Sequence, residues 1–378
     1  MSSPSVPSGR LLSLDVFRGA TIAGMMLVNN PGDWGHVYAP FLHAKWHGWT
    51  FTDLIFPFFL WIVGVAMTLS FAKRRERGDS KHMLFLHSVR RAAIIFGLGL
   101  FLAGFPYYDL SIIRIPGVLQ RIAVCYLVGS AIFLYSPLRW QLVWTGGFLV
   151  VYWLLVSLVP VPGYGAGVLE PTGNLAWYID SQVLAGHTWR GAPVPGFDPE
   201  GIFSTLPAIS TLLFGVLTGH MLRMDKSQEE KTSWMFFVAC ILLFVGVVMD
   251  NWLPINKNLW TSSYSVFMAG MALLVFAWCY WIIDVKGYRR GMRPFAVYGM
   301  NAITVFVLAG VFGRLMGMIS VGSTDEGKAI SLKTWIYTTF FTPLGGPYDS
   351  SLLFALAFVL FLYAIAYIMY RKNWFLKV

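Results

Sequence analysis

The sequence predicts an all-α protein, a polytopic bundle of about ten membrane-spanning helices with both termini in the cytoplasm. Three observations predict it. Hydrophobic residues make up 57% of the 378 residues and charged residues only 12%, about half of what a soluble domain carries. The apolar residues fall in blocks of roughly 20, the length that crosses a bilayer as a helix. The basic residues collect in short stretches between alternate blocks, which is how a cytoplasmic face is marked.

In chain order the spans are read at 12–30, 51–72, 84–104, 116–136, 140–160, 202–222, 233–250, 260–283, 293–313 and 350–370. The segment 329–342 is too short to span comfortably. It would lie in the interface or re-enter, and counting it gives eleven elements. One side carries Arg10, the run Lys73 to Lys81 with Arg90 and Arg91, Arg139, Arg223 to Lys231, Lys286 to Arg293, and Arg371 to Lys377. That is 19 of the 28 basic residues, so this side is assigned to the cytoplasm. The even number of spans returns the C-terminus to the side of the N-terminus. The stretch before Leu11 has no apolar core and no cleavage site, so the first span is expected to stay in the membrane.

The net charge of +10 would suggest nucleic acid in a soluble protein. Here the bases flank spans, so orientation explains them and no nucleic-acid partner is expected. Cys125, Cys240 and Cys279 each lie inside apolar blocks, with no metal or disulfide spacing. No GxGxxG, P-loop or GxSxG context points to a soluble nucleotide or hydrolase site. Residues 1–378 read as one domain with a long extracytoplasmic loop at about 161–201. That loop holds Glu170, Asp180, Asp198 and Glu200 beside Trp177, Tyr178 and Trp189. Rings beside carboxylates suit a sugar. The same residues also suit an interfacial belt with turns.

Polar residues in spans are costly and mark pairing or function. Asp15 and Arg18 are three apart and share one helix face. They form either a simple pair or a site in which Arg18 faces a cavity for an anionic ligand. Asn29 and Asn30 close the first span before Pro31-Gly32. His43 and His47 are four apart and would share a face on a helix, with Asp53 following. This is not a zinc spacing, and no metal is expected. An imidazole beside Lys45, Trp46 and Trp49 at an interface suits proton transfer near neutral pH, or a structural role. Arg114 and Arg121 bracket a Pro-Gly break and each needs a carboxylate, a carbonyl or an anionic ligand. Asn258 and Asn301 sit at or inside span entrances, where helix–helix hydrogen bonding is the plainer reading.

The blocks SLDVFRG…LVNN, FLHAKWHGWTFTDLIFPFFLWIVG, RIPGVLQRIA, DPEGIFSTLPAI, NKNLWTSSY and YGMNAITVF resemble, in this order, the heparan-α-glucosaminide N-acetyltransferase family. The likeness runs from Leu11 to the final span and is nearest to the bacterial transmembrane glucosamine N-acetyltransferases. It implies a transmembrane acetyltransferase in a bacterial inner membrane. Acetyl-CoA on the cytoplasmic side would be the donor, and the amine of a glucosamine or glucosaminide on the far side the acceptor. It also implies a homodimer. The family's functional histidine falls on His43 and its partner asparagine on Asn29. The DxFRG block falls on Asp15 and Arg18, expected with Arg121 to hold the donor. Asp53, His47, Trp46, Asn258 and Asn301 are the expected contacts to the sugar. Lysosomal members have Asn where this chain has His47, and carry an extra region before the first block. His43 would act either as the base in direct transfer or as an acetylated intermediate. The competing class is a permease for amino sugars, which would release no CoA.

Overall fold

A computed structural model of the protein describes residues 11–323 and 327–375. Arg10, the rest of the N-terminal stretch and Lys377 lie outside the described residues. The chain forms α1 (Leu12–Asn29), α2 (Phe51–Glu76), α3 (Lys81–Gly104), α4 (Val118–Tyr135), α5 (Leu138–Leu158), α6 (Leu175–Val183), α7 (Thr205–Leu222), α8 (Gln228–Asp250) and α9 (Ser262–Tyr280). Then follow α10 (Arg293–Met300), α11 (Ala302–Met318), the antiparallel strands β1 (Ser320–Ser323) and β2 (Ala329–Ser331), α12 (Leu332–Ile336) and α13 (Pro347–Arg371). Side-chain caps start several helices: Ser80 accepts from Met83 N at 3.1 Å, Asn174 from Trp177 N at 2.8 Å and Ser227 from Glu230 N at 3.1 Å. Each satisfies an amide that the first turn leaves without a partner.

Among the described residues eight helices are long and apolar enough to cross a membrane, and α10 with α11 adds a ninth as a bent pair. The tenth expected span is α1. It has span length, but Asp15, Arg18 and Asn29 lower its apolarity, and it is not among the eight. It nevertheless packs against α2, α9, α10 and α13. The expected continuous span at 293–313 is broken at Asn301, with an 80° bend. The segment 329–342 forms no single helix. It divides into β2, α12, a π turn at Tyr337–Phe341 and the start of a 3-10 turn at Thr342–Leu344. The long loop at 161–201 contains α6.

The centre of the bundle is α2, α4, α7 and α9, whereas α3, α5 and α8 are mostly exposed and present apolar side chains such as Leu142, Phe237 and Phe244. Helices in lipid gain no hydrophobic drive from meeting each other, so close backbone approach carries the packing. The α2–α7 contact shows this. A Cβ on Gly64 would lie 2.0 Å from Leu212 O, and one on Gly215 would lie 2.0 Å from Trp61 O. Thr68 Oγ1 donates to Val216 O at 3.3 Å across the same seam. The α1–α10 crossing repeats the device, with Gly19 against Phe295 O and Gly299 against Asp15 O.

The ends of the bundle are chemically distinct. Gly24 near the end of α1 lies beside Phe51 at the start of α2. The segment 30–50 therefore caps one end. The opposite end carries Lys73, Arg74, Arg75 and the Arg223–Glu76 ion pair.

Gly64→Val and Gly215→Val should each destabilise the protein by about 1–3 kcal/mol or more through overpacking. Gly146→Val, whose Cβ would meet open space, should not. Thermal midpoints of the detergent-solubilised proteins check this. Equal midpoints for all three would refute the seam.

Candidate functional site

The site is built around the start of α2. Thr50 and Asp53 form a capping box, each side chain closing on the other's backbone amide. This reciprocal arrangement satisfies two first-turn donors. Asp53 is only 1% exposed. Its Oδ2 accepts from Ala44 N and Thr50 N, both at 3.0 Å, and from Thr50 Oγ1 at 3.1 Å. Its Oδ1 accepts from His43 Nδ1 at 2.6 Å. Pro57, four residues on, has no N–H to donate to the Asp53 carbonyl. The Tyr264 hydroxyl supplies that donor at 2.6 Å.

His43 and His47 are not on a helix. Residues 42–50 form an irregular loop ahead of α2, because the capping box starts the helix only at Phe51. The two imidazoles therefore diverge. His43 turns to Asp53. His47 Nδ1 faces Asn256 Nδ2 at 3.3 Å. Gly48, at φ 92°, takes a conformation that favours glycine and donates its N–H to Ile255 O at 2.7 Å. A parallel bridge joins Gly48 to Asn256. These contacts stitch the histidine loop to the turn between α8 and α9.

That turn carries a residue the sequence reading passed over. Lys257 Nζ lies 3.5 Å from His43 Nε2. Its only sequence signal is its place between the two asparagines of NKNLWTSSY. Asn258 is half-buried, and it is Asn256 that organises the turn, accepting from Leu259 N at 2.9 Å. Trp260 has a left-handed φ of 50°, a strained value for a bulky residue. It is held there by its Nε1–H bond to Thr211 Oγ1 at 3.1 Å and by the Arg121 guanidinium over its ring at 5.0 Å.

Arg114 and Arg121 find the partners expected of them. Arg114 grips Asp198 with two bonds, 2.8 and 2.6 Å, and also reaches Glu200. Burial alone would raise the Glu200 carboxyl, but Arg114, then Lys257 and Arg121, hold it well below the usual range. Arg121 is 2% exposed and donates to Gly201 O at 3.1 Å and to Ser204 Oγ. Its Nε and Nη1 have no hydrogen-bond partner among the described residues. Trp46 is half-buried, donates to Leu169 O at 2.8 Å and packs on Phe197. It ties the histidine loop to the long loop.

Asn29 lines a cavity of about 650 Å³ between α1, α3, α4 and α11. Asn30, Gln120, Arg114, Arg190 and Arg314 share its wall. Gln120, rather than Arg121, faces it. Among the described residues no hydrogen bond joins Asn29 to His43. Asp15 and Arg18 are paired with each other and lie well below this end: Arg18 is about 16 Å from Asn29 along the helix axis. Asn301 is 2% exposed at the α10–α11 break, and neither side-chain polar atom has a hydrogen-bond partner among the described residues. The structure thus gathers His43, Asp53, His47 and Trp46 at one end, places Asn29 in a neighbouring cavity, and sets Asp15, Arg18 and Asn301 apart.

A family model described as heparan-alpha-glucosaminide N-acetyltransferase, catalytic, matches residues 10–255. The heparan-alpha-glucosaminide N-acetyltransferase of Mus musculus is 31% identical over 356 residues, covering 79% of this chain and 53% of that protein. That of Homo sapiens is 32% identical over 356 residues, covering 80% and 53%. The chain spans about half the length of these curated relatives.

Asp180 of α6 generates a test by pH. Its Oδ1 accepts from Ile202 N at 2.9 Å, and burial pushes its carboxyl up to about 7. A raised acid favours the fold below the unfolded value near 4 and loses that advantage as pH rises to 7. Asp180→Asn keeps the acceptor and removes the charge. It should stabilise the protein at pH 8 by about 1–3 kcal/mol and not at pH 4. A thermal-midpoint difference independent of pH would contradict this.

Proposed function

The chain belongs to the heparan-α-glucosaminide N-acetyltransferase family, and from that membership we propose that it is a membrane acetyltransferase moving acetyl from acetyl-CoA to the amine of a glucosamine or glucosaminide. The observation that supports this best is the His43–Asp53 pair. An amine attacks a thioester only after losing its proton, so a positioned base is the first requirement. Asp53 engages Nδ1, which fixes the tautomer that leaves the Nε2 lone pair outward. Nε2 accepts the amine proton as the nitrogen attacks.

The remaining parts follow the two ends of the bundle. The end with Lys73, Arg74 and Arg75 is the cytoplasmic face of a bacterial inner membrane, and its charge suits the phosphates of CoA. The end with His43 is extracytoplasmic and meets the sugar, with His47 and Trp46 beside it. Asn29, on its cavity wall, is the amide assigned to the acyl group. Asp15 holds Arg18 on α1, between the two ends, where the guanidinium meets the donor. Arg121, buried beneath Trp260 and bonded to Gly201 O and Ser204 Oγ, has a positional part in the site. Transfer is direct, because one base suffices.

Purified protein given acetyl-CoA and glucosamine should release free CoA and N-acetylglucosamine. His43→Ala should reduce the rate to background, and Asp53→Asn should lower kcat by about 10²-fold or more. Undiminished transfer by His43→Ala would sink the mechanism. Acetyl trapped on His43 with acetyl-CoA alone would replace direct transfer by a two-step route. Uptake of unmodified sugar into proteoliposomes without CoA release would replace the enzyme by a permease.

A further inference from the structure

We infer that Lys257 is a catalytic residue whose ammonium stabilises the oxyanion formed on the acyl carbon; this rests on the acetyltransferase reading above. The geometry begins with His43. Its Nδ1 is committed to Asp53, so Nε2 is the nitrogen that meets the substrate. Lys257 Nζ is 3.5 Å from Nε2. Its backbone is set by the Gly48–Asn256 bridge, by the Gly48 N–H bond to Ile255 O and by the Asn256 side chain. The backbone that carries the ammonium is thus registered to the histidine loop.

The chemistry then constrains where an oxyanion must be. The amine nitrogen attacks the thioester carbonyl carbon and a C–N bond forms. The C=O π electrons move onto oxygen, and Nε2 takes the amine proton. The attacking nitrogen and the new oxyanion are bonded to one carbon. With the oxygen on the Lys257 side of Nε2, the ammonium donates to it. Collapse restores C=O, breaks C–S, and the sulfur leaves with the proton returned by His43. The balance is acetyl-CoA plus amine giving N-acetyl sugar plus CoA thiol.

The surrounding charges fit this role. The groups facing Lys257 are His43, Asp53 and Glu200, with Arg114 and Arg121 behind them. Asp53 and Glu200 already have close partners in His43 and Arg114. Lys257 is only half-buried and keeps donors for an incoming oxygen. Preorganised donors aimed at developing charge are worth most in a partly dry site.

The test uses the full chain in detergent, with acetyl-CoA and glucosamine. Lys257→Met should lower kcat by about 10²-fold while KM for either substrate moves less than about threefold. Lys257→Arg should restore a large part of the loss, since it returns the charge. A Lys257→Met variant that keeps more than half of wild-type kcat overturns the inference. So does a variant that loses KM and thermal stability together without rescue by arginine, which marks a structural lysine. Should Lys257→Met not fold, Lys257→Gln is read by the same criteria. Inactive wild-type protein would instead overturn the acetyltransferase reading itself.

Discussion

One buried carboxylate, Asp53, holds the candidate site together. It closes the first turn of α2, ties down the amides of Ala44 and Thr50, and engages His43. A carboxylate so placed cannot be replaced without loosening three things at once. Buried charge is tolerated only when its lone pairs are filled, and here four donors fill them. The helix that Asp53 starts is also the one that passes through the centre of the bundle. Rigid glycine seams against α7 fix that helix, and with it the position of His43.

The second requirement is that loops distant in sequence meet at this end. The histidine loop is bridged to the α8–α9 turn at Gly48. It is joined to the long loop by Trp46, and the long loop is clamped to the entrance of α4 by Arg114. Irregular backbone at the edge of a membrane must satisfy its polar groups within the protein. The clamps do this while leaving His43 and Asn29 accessible.

Much of this was legible in the sequence. Apolar block length gave the helices, since period and length need no knowledge of neighbours. Thr50-x-x-Asp53 before an apolar run is a capping signature. It could have told that His43 and His47 precede the helix rather than ride on it. The α10–α11 break was not legible: PFAVYGMNAITVF stays apolar through the 80° bend. Lys257 was not legible either. Its meaning comes from a backbone bridge between residues more than two hundred positions apart. Arg121 read as a donor contact, yet the fold encloses it beneath Trp260, because a cation–π stack leaves no trace in spacing.

The Gly48–Asn256 bridge also has a temporal side. His43 and Asp53 are synthesised early, in the loop before the second helix and in its first turn. Their partner across the bridge emerges only after α8 has been made. A nascent chain can therefore insert most of its helices while the site is still open on one flank. Completion of the pocket is bound to completion of the bundle. Protein caught before the ninth helix enters the membrane would hold its imidazole ready and its neighbouring cation missing.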